Sequence, residues 1–215
     1  MGSLSCLTDP AALIAADTSA VINLNATGCA AEILRAIPNK VMVVDVVVRE
    51  LEDGRRHGRR DADSLQELIA AGLVEIGRLG DIAALHFERL VVGPAAMTLD
   101  DGEAATIAWA VAHGGIAVVD ERKATRLCAQ LFPHLCVGCT VDILAHPAVG
   151  FSLGKEMLAA AVFKALQNGR MRVFPQNIEW VVDLIGQEQA AACASLPMSV
   201  RKAQQGLLEC IDEGE

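Results

Sequence analysis

Aromatic residues make up only 3% of this 215-residue chain, and tyrosine is absent. The interior must therefore be filled by Ala, Val, Leu and Ile, and a hydrophobic content of 53% is ample for that. No apolar run approaches the roughly 18 uninterrupted residues that a membrane-spanning helix needs. The amino end, MGSLSCLTDP, lacks a basic segment leading into a long apolar stretch and does not read as a signal peptide. The seven cysteines are odd in number and scattered, which argues for reduced thiols and a cytoplasmic setting and against a disulfide framework. Basic residues are outnumbered, giving a net charge of −9. That balance disfavours tight, non-specific nucleic-acid binding, which draws on Lys and Arg. It does not exclude a nuclease, because cations bound at an acidic site reverse the local field. Charged residues at 21% argue against disorder, and the length fits one domain with at most a helical extension.

What the chain does have is a set of separated carboxylates at the ends of apolar runs or on short helices. Asp17 stands in LIAADTSAVINL, Glu50 in VVVREL, Glu103 in LDDGEAATIAWA, and Asp120 and Glu121 in IAVVDERKA. Carboxylates are hard oxygen ligands that repel one another unless a divalent cation sits among them. The pattern points to Mg²⁺ or Mn²⁺, and such sites commonly act on phosphate esters.

Apolar strand-like runs alternate with helical patterns up to about residue 150. Strands are expected over Ala11–Ala16, Val41–Val44, Leu73–Ile76, Ile116–Val119 and Leu135–Val137. Helices are expected after Thr18 and Ser19, which read as cap residues, over Ala30–Ile37, through VVVRELEDG, and over Ala62–Ala71, Ile82–Leu90, Asp101–His113 and Glu121–Leu131, with another from Val141. The alternation predicts an α/β fold, a three-layer α/β/α sandwich on a mostly parallel sheet. Sites in such sheets gather at the carboxyl ends of the strands, where Asp17 and Asp120 both fall. Residues 1–150 then form the main domain, and 151–190 a helical extension packed on it, with helices over Leu153–Gln167 and Asn177–Gln189 joined by a short basic link. The remainder, 191–215, is a tail carrying Leu207, Leu208 and Ile211, read either as a docking helix or as a frayed end.

DTSAVINL after a strand, a helix-borne Glu in REL, a GEA helix and an acid after IAVV, in this order, resemble the PIN-domain family of metal-dependent ribonucleases. LDDGEAATIAWA, VVDERKATRL and VGCTVDIL look like a prokaryotic branch related to VapC-type toxins. The resemblance covers about residues 11–150. It implies that Asp17, Glu50, Glu103 and Asp120 carry the catalysis, with Asp17, Glu103, Asp120 and Glu121 as the metal-facing set. Asp120 and Glu121 both match the fourth position, with Asp120 favoured as ligand and Glu121 as auxiliary. Thr18 or Ser19 matches a hydroxyl that holds water on the metal or caps the helix, and Asp100 or Asp101 is an outer neighbour. The family often has Asp where this chain has Glu103. The resemblance further implies hydrolysis of RNA to leave a 5′-phosphate, an antitoxin protein as partner, and a homodimer.

Each acid also has a plain structural reading: a turn-and-cap Asp at 17, a solvated Glu50, a first-turn Glu103 favoured by the helix dipole, a cap at Asp120–Glu121. The four together in this order favour the metal reading. GRRHGRR, Gly54 to Arg60, offers Arg55, Arg56, Arg59 and Arg60 either as phosphate guides or as a solvated loop balancing Glu52, Asp53, Asp61 and Asp63. CVGC lacks a second Cys/His pair for zinc, and the five histidines show no ligand spacing. An aspartyl-phosphate enzyme is a second class, but Ser19 stands where a dehalogenase-type enzyme has its second Asp, and VGCTVDI lacks the Lys that a receiver-like domain has after a late strand. The third class is a non-catalytic module with vestigial acids.

Overall fold

The computed structural model describes residues 7–202. The chain opens with β1 (Ile14–Ala16), α1 (Thr18–Ala26), α2 (Ala30–Ala36) and β2 (Val41–Val44). It continues through α3 (Asp45–Arg55), α4 (Asp61–Ala70), β3 (Val74–Gly77), α5 (Asp81–Val91) and α6 (Asp101–His113). Then come β4 (Ile116–Val118), α7 (Arg122–Leu131), β5 (Cys136–Gly138) and α8 (Thr140–Leu144). The last helices are α9 (Pro147–Asn168), α10 (Ile178–Ile185) and α11 (Gln187–Ala191).

The five strands form one parallel sheet in the order β3-β2-β1-β4-β5. Parallel strands need crossover helices, which cover both faces, so the strands read as short continuous apolar runs. Side chains alternate between two cores. Ile14, Ala16, Val41, Val43, Ile116 and Val118 pack against α1, α2, α4, α9 and α10. Ala15, Met42, Val44, Ala117 and Val119 pack against α6 and α7, with Trp109 and Phe132 among the few rings. This is the α/β sandwich expected from the alternation.

The order matters for function. The chain runs outward from β1 to β2 and β3, then returns across the sheet to place β4 on the other side of β1. That reversal makes the carboxyl ends of β1 and β4 the switch point, where open α/β sheets leave a crevice. Ala16 pairs with Val118, so Asp17 follows one strand at the level of Val119 in its neighbour. Val118 pairs with Gly138, so Asp120 comes level with Thr140 beyond β5.

Two local expectations are corrected. The cap of α1 is Asp17 rather than Thr18 or Ser19, because its carboxylate accepts from the Ala20 amide at 2.7 Å. A cap of this type contributes about 1 kcal/mol. The single helix expected over Asn177–Gln189 breaks at Gly186, whose φ of 81° ends α10 and starts α11. Within α9 the backbone leaves helical geometry at Gly154, φ 73° and ψ 163°, so that two helical pieces meet there at a kink. Leu158, Val162, Leu166, Met171, Val181 and Ile185 share the core of the sheet, so these helices and the sheet have one interior. The apolar residues expected to anchor the tail, Leu207, Leu208 and Ile211, lie outside the described residues. Among those described, no helix is long and apolar enough to cross a membrane.

Candidate active site

The switch point is acidic and dry. Asp17 is 2% exposed and Asp120 is 3% exposed, on adjacent strands. Both Asp17 oxygens accept from the Ser19 hydroxyl at 2.9 Å, and Oδ1 also accepts from the Ala20 amide. Burial pushes the Asp17 carboxyl well above the usual range, Asp120 and Glu103 push it further, and the Ala20 and Ser19 donors oppose the shift.

Asp120 is held more completely. Oδ1 accepts from the Thr140 amide at 2.8 Å, and Oδ2 accepts from the Thr140 hydroxyl at 2.5 Å and the Asn23 amide nitrogen at 2.7 Å. Burial raises its pKa in spite of these donors. Glu103, in the first turn of α6, is half-buried. Burial, then the charges of Glu121 and Asp100, push it up to about 7. Among the described residues no salt bridge reaches Asp17, Glu103 or Asp120.

Glu121 is set apart from these three, because it is ion-paired with Arg172. Glu50 turns to another task. It accepts from the Thr18 hydroxyl and from the Gly102 amide, the latter at 2.7 Å, and so ties α3 and α1 to the amino end of α6. A carboxylate is favoured at such a helix end. Thr18 therefore orients Glu50, and Ser19 orients Asp17. Asp101 is exposed.

A cavity of about 260 Å³ opens over the acids, lined by Ser19, Asn23, Glu103, Asp120, Glu121 and the arginines 59, 170 and 172. A larger hollow of about 500 Å³ lies at the opposite, amino edge of the strands, beside Gly115, Ile116 and Cys136. It holds none of the acids, and the smaller cavity is the one with chemistry.

The donor set suits a hard divalent cation in kind: mutually repelling carboxylates, Asp17 and Asp120 buried and Glu103 half-buried, with no salt-bridge partner among the described residues. It is not a finished cage. Among the described residues, no three His, Cys, Asp or Glu side chains stand close enough to hold an ion as they are. Asp120 spends its oxygens on Thr140 and Asn23, and Glu121 on Arg172.

The GRRHGRR run resolves mostly to its plainer reading. Arg55 pairs with Asp63, Arg56 with Asp53 and Arg59 with Asp61, while Arg60 is exposed. Only Arg59 of the run reaches the cavity wall. Of the CVGC cysteines, Cys139 is buried against Asp142 and Asn177. None of the five histidines lines the acidic cavity.

Sequence reasoning missed Asn23, Thr140, Arg170 and Arg172. Asn23 is a buried amide in an otherwise apolar stretch of α1, and that mismatch was its signal. Thr140 follows a strand end just as Asp17 does. The arginines had no signal beyond the basic character of their link.

Neither curated proteins nor solved structures yield a match. A family model described as PIN domain matches residues 13–187, a span holding all five strands, every acid of the cavity and helices α9 and α10. With a nuclease-like fold and its acids at the switch point, this chain belongs to the PIN-domain family.

Proposed function

We propose that the protein is a divalent-metal-dependent endoribonuclease that hydrolyses RNA phosphodiesters, acting as the toxin of a toxin–antitoxin pair. The observation that carries the reading is the pair Asp17 and Asp120, buried side by side at the switch point without a protein cation to neutralise them. Buried like charges are costly unless a cation is bound or a proton retained.

Asp17, Glu103 and Asp120 are the residues that would hold Mg²⁺ or Mn²⁺. The ion supplies Lewis acidity, polarising the phosphodiester, acidifying the attacking water and steadying the leaving oxygen. The protein supplies position. Ser19 and the Ala20 amide fix Asp17, while Thr140 and Asn23 fix Asp120. Glu103, with a pKa of about 7 in the metal-free protein, is ionised and able to accept a cation only from about neutrality upward. Glu50 keeps the amino end of α6, and with it Glu103, at the cavity.

A homodimer or an antitoxin contact would find apolar side chains exposed on α5 and just beyond its end, at Ile82, Leu85 and Val92.

The test is Asp17→Asn. Wild type is expected to cleave single-stranded RNA with Mn²⁺, and the variant to lose at least a hundredfold in rate, about 2.7 kcal/mol of barrier. Equal rates would sink the proposal. The absence of a finished metal cage favours one other reading, a non-catalytic RNA-binding module. It is distinguished by wild-type protein that binds RNA but leaves it intact with Mn²⁺.

A further inference from the structure

The most conspicuous basic run of the chain, GRRHGRR, is largely neutralised by its own acids. The less conspicuous arginines of the α9–α10 link and of α7 are the ones that surround the site. The link is built tightly. A Cβ on Gly169 would meet Asn23 Oδ1 at 2.6 Å and the Ala165 carbonyl at 2.8 Å, so the backbone passes directly over the residue that holds Asp120. Arg170 follows with φ +54°, the one positive-φ residue other than glycine among those described. Left-handed backbone is unfavourable for a long side chain and persists only where its surroundings impose it. Met171 is wholly buried and anchors the link, and Val173 is buried after it, so Arg170 and Arg172 are left facing out on either side of Met171. Both line the acidic cavity.

Across Glu121 lies a second depression, lined by Ala95, Ala96, Glu121, Arg122, Lys123 and Arg126. The two hollows share Glu121 in their walls. Arg122 and Arg126 are exposed on α7, and among the described residues neither has a salt-bridge partner. A chain with a net charge of −9 thus concentrates cations on the two sides of its acids, and of these four arginines Arg172 alone has a salt-bridge partner among the described residues, Glu121.

We propose that Arg170 and Arg172 on one side of Glu121, and Arg122 and Arg126 on the other, form a phosphate track. It grips the backbone of a single-stranded RNA on both sides of the phosphodiester presented to the acids. The inference rests on the ribonuclease reading. Arginine offers bidentate contacts to phosphate, and such contacts position the strand without reading its bases. Arg172 is held by Glu121 until a phosphate competes for it.

The experiment measures binding of a fluorescein-labelled single-stranded oligoribonucleotide by anisotropy, over a salt series, with Ca²⁺ to slow hydrolysis. Cleavage with Mn²⁺ is followed in parallel. Arg172→Ala and the double variant Arg122→Ala/Arg126→Ala are expected to weaken binding about tenfold or more. The slope of log K against log salt should fall by about 0.7 per arginine removed. Arg172→Lys should recover part of the loss, because it restores the charge without the fork. Arg35→Ala, the same charge change as Arg172→Ala at an exposed residue of α2 that lines neither hollow, should leave binding as in wild type. All the variants alter exposed side chains, and a circular-dichroism melt confirms their folding. Wild-type cleavage and binding with unchanged slopes in the track variants would overturn the track and leave the ribonuclease standing. A greater loss from Arg56→Ala than from Arg172→Ala would also overturn it, in favour of the GRRHGRR run. A wild type that neither binds nor cleaves RNA refutes the ribonuclease reading, and the track with it.

Discussion

Thr140 donates twice to Asp120, from its amide to Oδ1 at 2.8 Å and from its hydroxyl to Oδ2 at 2.5 Å. The register between β4 and β5 makes this possible, since it brings the residues that follow the two strands level. A wholly buried carboxylate is thereby given a fixed orientation before any ligand arrives.

Thr140→Val keeps the amide donor and the shape but removes the hydroxyl. A hydrogen bond to a charged group is worth about 1.5–3 kcal/mol, and its loss leaves Asp120 poorly solvated. We expect a loss of stability of that order near neutral pH, read by urea unfolding, and weaker Mn²⁺ binding by calorimetry. A variant as stable as wild type with equal Mn²⁺ affinity would show that Thr140 does not position Asp120.

Gly102 sits where any Cβ would run into the Glu50 carboxylate, the far end of a flexible side chain. Gly102→Ala should therefore displace Glu50 from Thr18 and from the amino end of α6 at little cost in stability, since Ala is the better helix former by about 1 kcal/mol. The expected outcome is a melting temperature within a few degrees of wild type and a clear fall in RNA cleavage. Retained activity would remove Glu50 from the site.

The pH dependence of stability follows from Glu103. Its folded-state pKa is about 7, above the ordinary 4.5, so the folded protein holds this proton more tightly than the unfolded chain does. The sign is then fixed: its contribution is complete below about pH 4.5 and is lost as pH rises through about 7. Asp17, also shifted upward, acts in the same direction. Thermal melts of metal-free protein should fall across that window, and Glu103→Gln should flatten the fall. Mn²⁺ should raise the melting temperature most above pH 7, where the carboxylates are charged. A metal effect independent of pH would contradict this account.

Arg170 occupies the left-handed region at φ 54° for the sake of its position over the cavity. Asn tolerates that backbone better, so Arg170→Asn should stabilise the protein by about 0.5–1 kcal/mol in urea unfolding. The same variant should bind RNA more weakly. A gain in stability without a loss of binding would mean the strain serves something other than the strand.

Gly169→Ala has the opposite character. Its Cβ would press on the Asn23 side chain and the Ala165 backbone, and the latter cannot yield cheaply. We expect destabilisation of about 1–3 kcal/mol together with reduced cleavage, because Asn23 is also a donor to Asp120. Unfolding and single-turnover cleavage measured on one preparation would separate the two effects.

The strands, the parallel sheet and the strand-end placement of Asp17 and Asp120 were legible because they rest on local signals. A four-residue apolar run such as VMVV is short enough for a strand and too apolar to face water, and an acid directly after it marks the carboxyl end. The helix boundaries near Gly186 and Gly154 were less legible, since glycine ends or kinks a helix only where packing asks for φ above zero.

What sequence could not decide was which charges cancel. Arg55, Arg56 and Arg59 read equally as phosphate guides or as a solvated loop balancing its own acids, and only the fold shows each of them paired, with Asp63, Asp53 and Asp61. Glu50 looked like a free acid of the site, and only the approach of α3 to α6 gave it the Gly102 amide. Asn23, Thr140 and Arg172 meet Asp120 and Glu121 across separations that no local pattern records. The acids and their order belong to the sequence by itself, because strand ends are locally encoded. Which of them stay unneutralised, and which arginines stand free beside them, was decided by tertiary structure, because hydrogen bonds and ion pairs act over ångströms in space and not over positions in the chain.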